Sequence, residues 1–435
     1  MRALRVCFWV FLCFGFISSV WAQNQEEKTR LGRHLTPQHR MASLHSKAKM
    51  TAQSRSYLAP VITFDKSKTW DLGVYPGGST AELQSINDFG VAMGWGDVPV
   101  EGGTETRMIG IPLFGFKPGQ WFESGVSSED WTGEGGGISN TGIIAGNIMG
   151  PSGWPEAYAW MPNHAGFHLG KYSDDDGSAA IGINHSGTLI VGASGKLLED
   201  GSIRQIPVVW TSKVIWKNGQ PTLSWELHAL PTGGLEQPGA VFEGITLTSW
   251  GGWGVNDHGQ IAGDGWYYDS VLQEYWEIAV VWNPIKGGKE WEMERLPMAA
   301  GLAYNEALAI NDLGEIVGDV WESNAFPALF KQDPRNKTWS VHVLPTSPDS
   351  PWSVAWGINE LGDVVGFSTD ENWIPNATRW STHDLSLVKS LGFPGELSIA
   401  YSVNNLHIAV GGYQNLVDEN GPIFGPEQAV AVRFP

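Results

Sequence analysis

Between Thr69 and Phe434 the chain runs in short apolar stretches, most of them alternating with polar positions, as in Trp339-Ser340-Val341-His342-Val343-Leu344. A period of two over four to eight residues, closed by turn-forming residues, is the pattern of half-buried β-strands. One turn recurs seven times as Ile/Val-Asn-x-x-Gly-x-apolar: Ile86-Asn87 to Gly90, Ile138-Ser139 to Gly142, Ile183-Asn184 to Gly187, Val255-Asn256 to Gly259, Ile310-Asn311 to Gly314, Ile358-Asn359 to Gly362, and Val403-Asn404 to His407. Its successive copies lie 52, 45, 72, 55, 48 and 45 residues apart. Asn accepts backbone N–H groups where the turn begins and Gly supplies a positive φ where the chain returns, so each copy predicts a hairpin of strands a and b. His407 stands where the other copies have Gly or follow the pattern, and is expected to be strained or to sit in a different turn.

Two further pieces recur in each unit. A short run ending in an aromatic follows the hairpin (Ile111 to Phe114, Ala157 to Trp160, Pro207 to Trp210, Ala279 to Trp282, Pro327 to Phe330, Ala377 to Trp380, Ala431 to Phe434), and an alternating run such as Trp225 to Pro231 follows that. These are strands c and d, and four short strands per unit of about 40 to 50 residues describe a propeller blade. The predicted fold is therefore all-β, a seven-bladed β-propeller of four-stranded antiparallel blades. The chain ends on a strand c, while Thr69-Trp70-Asp71-Leu72-Gly73 is a strand d with no blade before it, so the N-terminal strand is expected to complete the last blade and leave no open edge. The 72-residue interval is too short for an eighth blade and predicts added loop length.

Side-chain size along strand a carries a packing expectation. Six residues before the turn Gly stand mostly large residues (Gln84, Gly136, Ile181, Trp253, Leu308, Trp356, Tyr401), and five before it only small ones (Ser85, Gly137, Gly182, Gly254, Ala309, Gly357, Ser402). Adjacent strand positions face opposite sides, so the large face of one blade is expected to fill the small face of the next. Blade 2, with Gly135, Gly136 and Gly137, should pack loosely or admit a neighbour's side chain.

Ile310-Asn311-Asp312-Leu313-Gly314-Glu315-Ile316-Val317-Gly318, with Glu156-Ala157-Tyr158-Ala159-Trp160 and Asn324-Ala325-Phe326 as weaker second halves, resembles the extracellular HAF-repeat proteins. The resemblance covers about residues 69 to 434. It implies a secreted repeat protein and brings no catalytic residues.

The N-terminus changes the picture of where the protein works. Arg2 and Arg5 precede an apolar run from Val6 to Val20 that ends at Val20-Trp21-Ala22, so residues 1–22 read as a secretory signal peptide and the protein as secreted or periplasmic. No second apolar stretch is long enough to span a membrane. The only cysteines, Cys7 and Cys13, lie in that segment, which removes disulfide, thiolate-metal and cysteine-nucleophile chemistry from the mature chain. Residues 23–57 carry seven basic residues against Glu26 and Glu27 and lack a strand period, and they read as a flexible basic leader ahead of a propeller at 58–435. The whole chain has 27 basic and 46 acidic residues, a formal net charge of -19, and the acid excess lies in the propeller. Such a surface repels nucleic acid, anionic membranes and polyanionic glycans.

Candidate chemistry sits on the face formed by the b–c and d–a loops, where propellers usually meet ligands. Trp95, Trp154, Trp266, Trp321 and Trp373 fall in b–c loops and Trp131 and Trp352 in d–a loops, among many Asp and Glu. Flat aromatic faces beside hydrogen-bond acceptors suit sugar rings. The competing account is that Trp fills gaps between blades while the acids keep the surface soluble. Glu82, Glu134 and Glu306 all stand eight residues before the turn Gly, and three converging carboxylates could bind calcium or raise one another's pKa. No cofactor is expected, with calcium as the one ion the acidic positions would take. The glycine-rich nucleotide loops, zinc-spaced His pairs and Gly-x-Ser-x-Gly elbows are all missing from the sequence. The leading expectation is a module that binds a neutral or cationic glycan or a small ligand. A polysaccharide-degrading enzyme and a protein-interaction scaffold are the alternatives, and the sequence sets no oligomeric state.

Overall fold

The computed structural model describes residues 68–435, apart from 114–117, 128–135, 151–152, 162–165, 200–202, 218–219, 233–240, 243–244, 249, 270–273, 348–349 and 419–422. The signal peptide and leader expected at 1–57 lie outside the described residues, as do Trp131, Glu134 and the side chain of Trp266. None of the described residues is helical.

The chain forms a seven-bladed β-propeller of antiparallel four-stranded blades. In each blade strands a, b, c and d lie side by side in that order: blade 4, for example, is Trp250–Val255, Ile261–Asp269, Glu274–Ile285 and Glu290–Arg295, and blade 5 is Tyr304–Ile310, Ile316–Trp321, Ala325–Gln332 and Trp339–Val343. Blade 7 takes strands Leu397–Val403, Ile408–Gln414 and Gln428–Arg433 from the C-terminal end and Lys68–Gly73 from the beginning. Trp70 pairs with Ala431, so the ring closes as the sequence predicts. The long interval before blade 4 is spent on an extended c–d hairpin, Ile203–Lys217 with Gln220–Ala229, and on a small hairpin whose strand Ile245–Thr248 runs parallel to Ile203 and Arg204.

Seven apolar layers lie between successive blades. Between blades 4 and 5, Ala262, Ala279 and Val281 meet Ala307, Ile316 and Val320; between blades 7 and 1, Val410 and Ala431 meet Ala81, Leu83 and Ala92. The aromatic that ends strand c is the large wedge in these layers. Trp210, Trp282, Phe330 and Trp380 are fully buried. Trp282 donates its Nε1–H to the Pro231 carbonyl at 2.7 Å, and Trp380 does the same to Pro345 at 2.6 Å, each at the end of the preceding blade's strand d. For these residues the gap-filling account of Trp is the right one.

The size pattern on strand a works differently from the expectation. In six blades the pairing register slips at the large position, as between Gly252 and Gly254 and between Ala307 and Ala309, leaving Trp253 and Leu308 on β-bulges. A bulge breaks the alternation of sides, so Trp253, Leu308, Trp356 and Tyr401 do not fill a neighbouring blade. They gather with Val354, Phe367 and Ile399 in an apolar cluster of their own on the inner strands. The small positions do face the next blade, where they let its backbone approach: a Cβ on Gly254 would stand 2.9 Å from the Ala309 Cα. Blade 2 admits a neighbour as expected, since a Cβ on Gly137 would meet Ile183 Cγ2 at 2.7 Å.

The repeated turn has a second use. Asn359 accepts the N–H groups of Leu361 and Asp363 within its own turn and donates from Nδ2 to the Asn404 carbonyl of the next blade at 2.9 Å. The same inter-blade bond runs from Asn256 to Asn311, Asn311 to Asn359, Asn404 to Asn87 and Asn87 to Ser139. The following residue makes a parallel chain: the backbone N–H groups of Asp257, Asp312, Glu360, Asn405 and Asp88 are accepted by Asp312, Glu360, Asn405, Asp88 and Asn140 respectively. His407 occupies the same turn as the glycines, with its N–H on the Asn404 carbonyl and φ of 57°, where the six glycines have φ of 71–81°. Its Nδ1 lies 2.6 Å from Asp363 Oδ2, a side-chain contact that offsets the strained backbone.

Candidate functional site

Three of the candidate tryptophans come together. Trp95, Trp266 and Trp321 lie on strand b and not in the expected b–c loops, because strand b runs on past the residues where the sequence pattern ended it. Trp352 and Trp373 do lie in d–a and b–c loops. Trp321 ends strand b of blade 5 and stacks on Tyr304, its cross-strand partner, with centroids 4.1 Å apart and planes 18° apart. Trp352 follows at 6.2 Å from Trp321, and Trp373 at 6.4 Å from Trp352. All four rings are half-buried, so each keeps surface open to a ligand.

Local backbone chemistry holds this row in place. Trp352 receives the Thr369 N–H on its carbonyl at 2.9 Å and gives its own N–H to Thr369 Oγ1, tying the d–a loop to strand b of blade 6, and it bridges to Ala325 of blade 5. Trp373 takes a left-handed φ of 68°. Asp370 builds that turn, accepting the N–H groups of Asn372 and Ile374 on Oδ1 at 2.8 and 3.0 Å. Side-chain caps of this kind are what let a non-glycine residue rest in that region. Tyr304 was not singled out in the sequence; its place opposite Trp321 follows from the register of the two strands.

Trp95 and Trp154 are half-buried on other blades and do not join the row. Trp95 stands opposite Glu82 in the strand pairing of blade 1.

Of the glutamates at the shared position, Glu82 and Glu306 meet different partners, and Glu134 lies outside the described residues. Glu82 is fully buried and meets Glu427, which lies just before strand c of blade 7; Gln84 Nε2 donates to it at 2.8 Å and the Tyr401 hydroxyl at 3.3 Å. Glu306 meets Glu277 and Asp264 of blade 4 and its own cross-strand partner Asp319. One ligand oxygen each from Asp264, Glu277 and Glu306 lies within 4.8 Å of the others. Asp264, Glu277 and Asp319 are buried, while Glu306 is half-buried. Trp253, on the bulge of blade 4, donates its Nε1–H to Asp264 Oδ1. Because Tyr304 opposes Trp321 and Glu306 opposes Asp319 two residues along, the aromatic stack and this acid pair lie on one side of blade 5.

Burial is the main cause of abnormal proton affinity in both groups. It pushes Glu277 and Asp319 well above the carboxylate range, with the neighbouring acids adding to the effect, and it pushes Glu306 up to about 7, helped by the charge of Asp264. Asp264 is raised by burial as well. Glu427 is held well up by burial and by Glu82, whose own pKa burial raises against its hydrogen bonds. A cluster of this kind can share protons among its members or gather around a cation.

At the opposite end of the blades, His185, Asp312 and Glu360 also come within ligand distance of one another. There the two acids are engaged as acceptors for neighbouring turn N–H groups, which makes them part of the ring's closure.

No protein family profile matches the chain, and no curated protein matches it. Solved structures do. The sialidase of Trypanosoma rangeli bound to the inhibitor DANA is 16% identical over 73% of this chain and 56% of the sialidase, with a TM-score of 0.42. An acylaminoacyl peptidase of Pyrococcus horikoshii is 11% identical over 77% of this chain and 49% of its own, with a TM-score of 0.47. A puromycin hydrolase is 10% identical over 78% of this chain and 50% of its own, with a TM-score of 0.50. The chain thus spans about half the length of these structures. At such identities the likeness concerns the fold.

Proposed function

We propose that this protein is an exported β-propeller whose b–c and d–a loop face binds a neutral or cationic glycan. The observation that carries the reading is the row Tyr304–Trp321–Trp352–Trp373, with successive centroids 4.1, 6.2 and 6.4 Å apart across blades 5 and 6. Consecutive rings fixed by backbone hydrogen bonds offer several stacking faces at little entropic cost, the arrangement that suits the C–H faces of successive sugar units. The net charge of -19 favours neutral and cationic polymers over uronate or sulfate polymers. Export rests on the N-terminal apolar segment and agrees with the resemblance to extracellular HAF-repeat proteins.

Affinity electrophoresis in gels containing neutral polysaccharides, chitosan or a polyuronate tests the reading. Retardation by a neutral polymer or chitosan, lost in Trp321→Ala and Trp352→Ala, supports it. Absence of retardation by every neutral and cationic polymer overturns it.

A further inference from the structure

We propose that Asp264, Glu277 and Glu306 hold a divalent cation of the calcium type at the seam between blades 4 and 5, with Asp319, the cross-strand partner of Glu306, beside them. The donor set is oxygen only, which selects a hard cation over zinc or copper. Calcium sits 2.3–2.6 Å from its ligands, so oxygens on opposite sides of it stand about 4.6–5.2 Å apart. The oxygens of Asp264, Glu277 and Glu306 lie within 4.8 Å of one another, a span that encloses one such ion.

A second observation points the same way. Glu277 Oε2 and Asp319 Oδ1 are sealed from solvent and receive no hydrogen bond, on side chains from residues only 1% and 2% exposed. A buried carboxylate oxygen without a donor is costly, and a cation satisfies it directly. Among the described residues, none of the four acids is in an ion pair with Lys, Arg or His.

The fold supplies its own comparison at the seam between blades 7 and 1. Glu427 and Glu82 there fill the places of Glu277 and Glu306, but Gly412 stands where blade 4 has Asp264, and Trp95 faces Glu82 where Asp319 faces Glu306. Gln84 and Tyr401 donate to Glu82. Two carboxyl groups with two donors are satisfied by sharing a proton. Among the described residues the four carboxyl groups at blades 4 and 5 share one side-chain donor, Trp253 Nε1–H on Asp264, and this larger excess of acids over donors makes that seam the cation site. Burial raises the pKa of all four acids, and the charge of neighbouring acids adds to it for Glu277, Glu306 and Asp319.

The full-length protein, treated with EDTA and dialysed, is titrated with calcium chloride at pH 7.5 and followed by thermal melting and by calorimetry. One bound ion per chain and a melting temperature about 4 °C higher at 1 mM calcium are expected. Glu277→Gln and Glu306→Gln should each remove the calcium response and still melt cooperatively in EDTA, because an amide keeps the side chain's size without its charge. Glu82→Gln should keep the response. Terbium emission excited through tryptophan should fall in Trp253→Phe, whose ring adjoins Asp264. A wild-type protein with no calcium response, or a response that survives both Glu277→Gln and Glu306→Gln, overturns the site. Glycan retention is read separately with Trp352→Ala, which leaves the calcium response intact.

Discussion

Glu277 and Glu306 belong to neighbouring blades and bring their carboxyl groups together at the seam between them, and Glu427 and Glu82 repeat the relationship where the ring closes. In both pairs a glutamate eight residues before a turn reaches the preceding blade, where a second glutamate stands at the same register on strand c or just ahead of it.

The acid cluster sets a pH dependence. Glu306 has an ordinary value of 4.5 and a folded value of about 7. Between these the native state holds a proton that the unfolded state has released, so stability falls as pH rises. The other acids of the cluster are shifted in the same direction. In EDTA the melting temperature should therefore decline from pH 5 to pH 8, and Glu277→Gln should flatten that decline. Melting curves across the range check it, and a melting temperature that rises over the same interval contradicts the assignment.

Truncating the aromatic row should act on binding, with a loss of stability that is read separately. Trp352 is half-buried in a d–a loop, and its backbone hydrogen bonds survive substitution. Trp352→Ala should weaken glycan binding about tenfold, roughly 1.4 kcal/mol, and should also lower the urea midpoint, because its side chain packs against the cluster of Leu308, Val354, Phe367 and Ile399. Titration calorimetry with the polymer identified by electrophoresis reads the first, and urea denaturation the second.

The closing strand should be indispensable. Trp70 is 6% exposed and lies in the layer between blades 7 and 1. Trp70→Ala should destabilise the propeller by about 3–5 kcal/mol. Deletion through Gly73 also removes the strand paired with Gln428–Arg433 and exposes an edge. Size-exclusion chromatography should show that deletion aggregating, and a monodisperse, cooperatively melting product would refute this role.

The asparagine turns should differ by whether they reach the next blade. Asn359 spans to Asn404, whereas Asn184 Nδ2 stays in its own turn on Ser186 and Thr188. Asn359→Ala should therefore be more destabilising than Asn184→Ala by about 1 kcal/mol, one buried hydrogen bond. Paired urea denaturation curves give that difference, and equal losses would show that the inter-blade bonds contribute nothing.

Blade number, strand order and closure were legible in the residues themselves. An Asn that caps its own turn and a Gly with positive φ act over four consecutive residues, and alternation marks the strands that flank them, so a repeat of that code announces the hairpins without knowledge of the fold. Trp352 and Trp373 were legible as loop aromatics for the same reason, whereas Trp321 read as a loop residue and ends strand b. Their union with Tyr304 into one row was not, and neither was the meeting of Glu306 with Glu277 or of Glu82 with Glu427. Trp253 and Leu308 read as a face for the neighbouring blade until the bulge turned them onto the inner strands. These facts depend on how each sheet twists and leans on the next. Turn chemistry is written in adjacent residues, whereas contacts across a seam arise only when the ring has set the distance between strands remote in the chain.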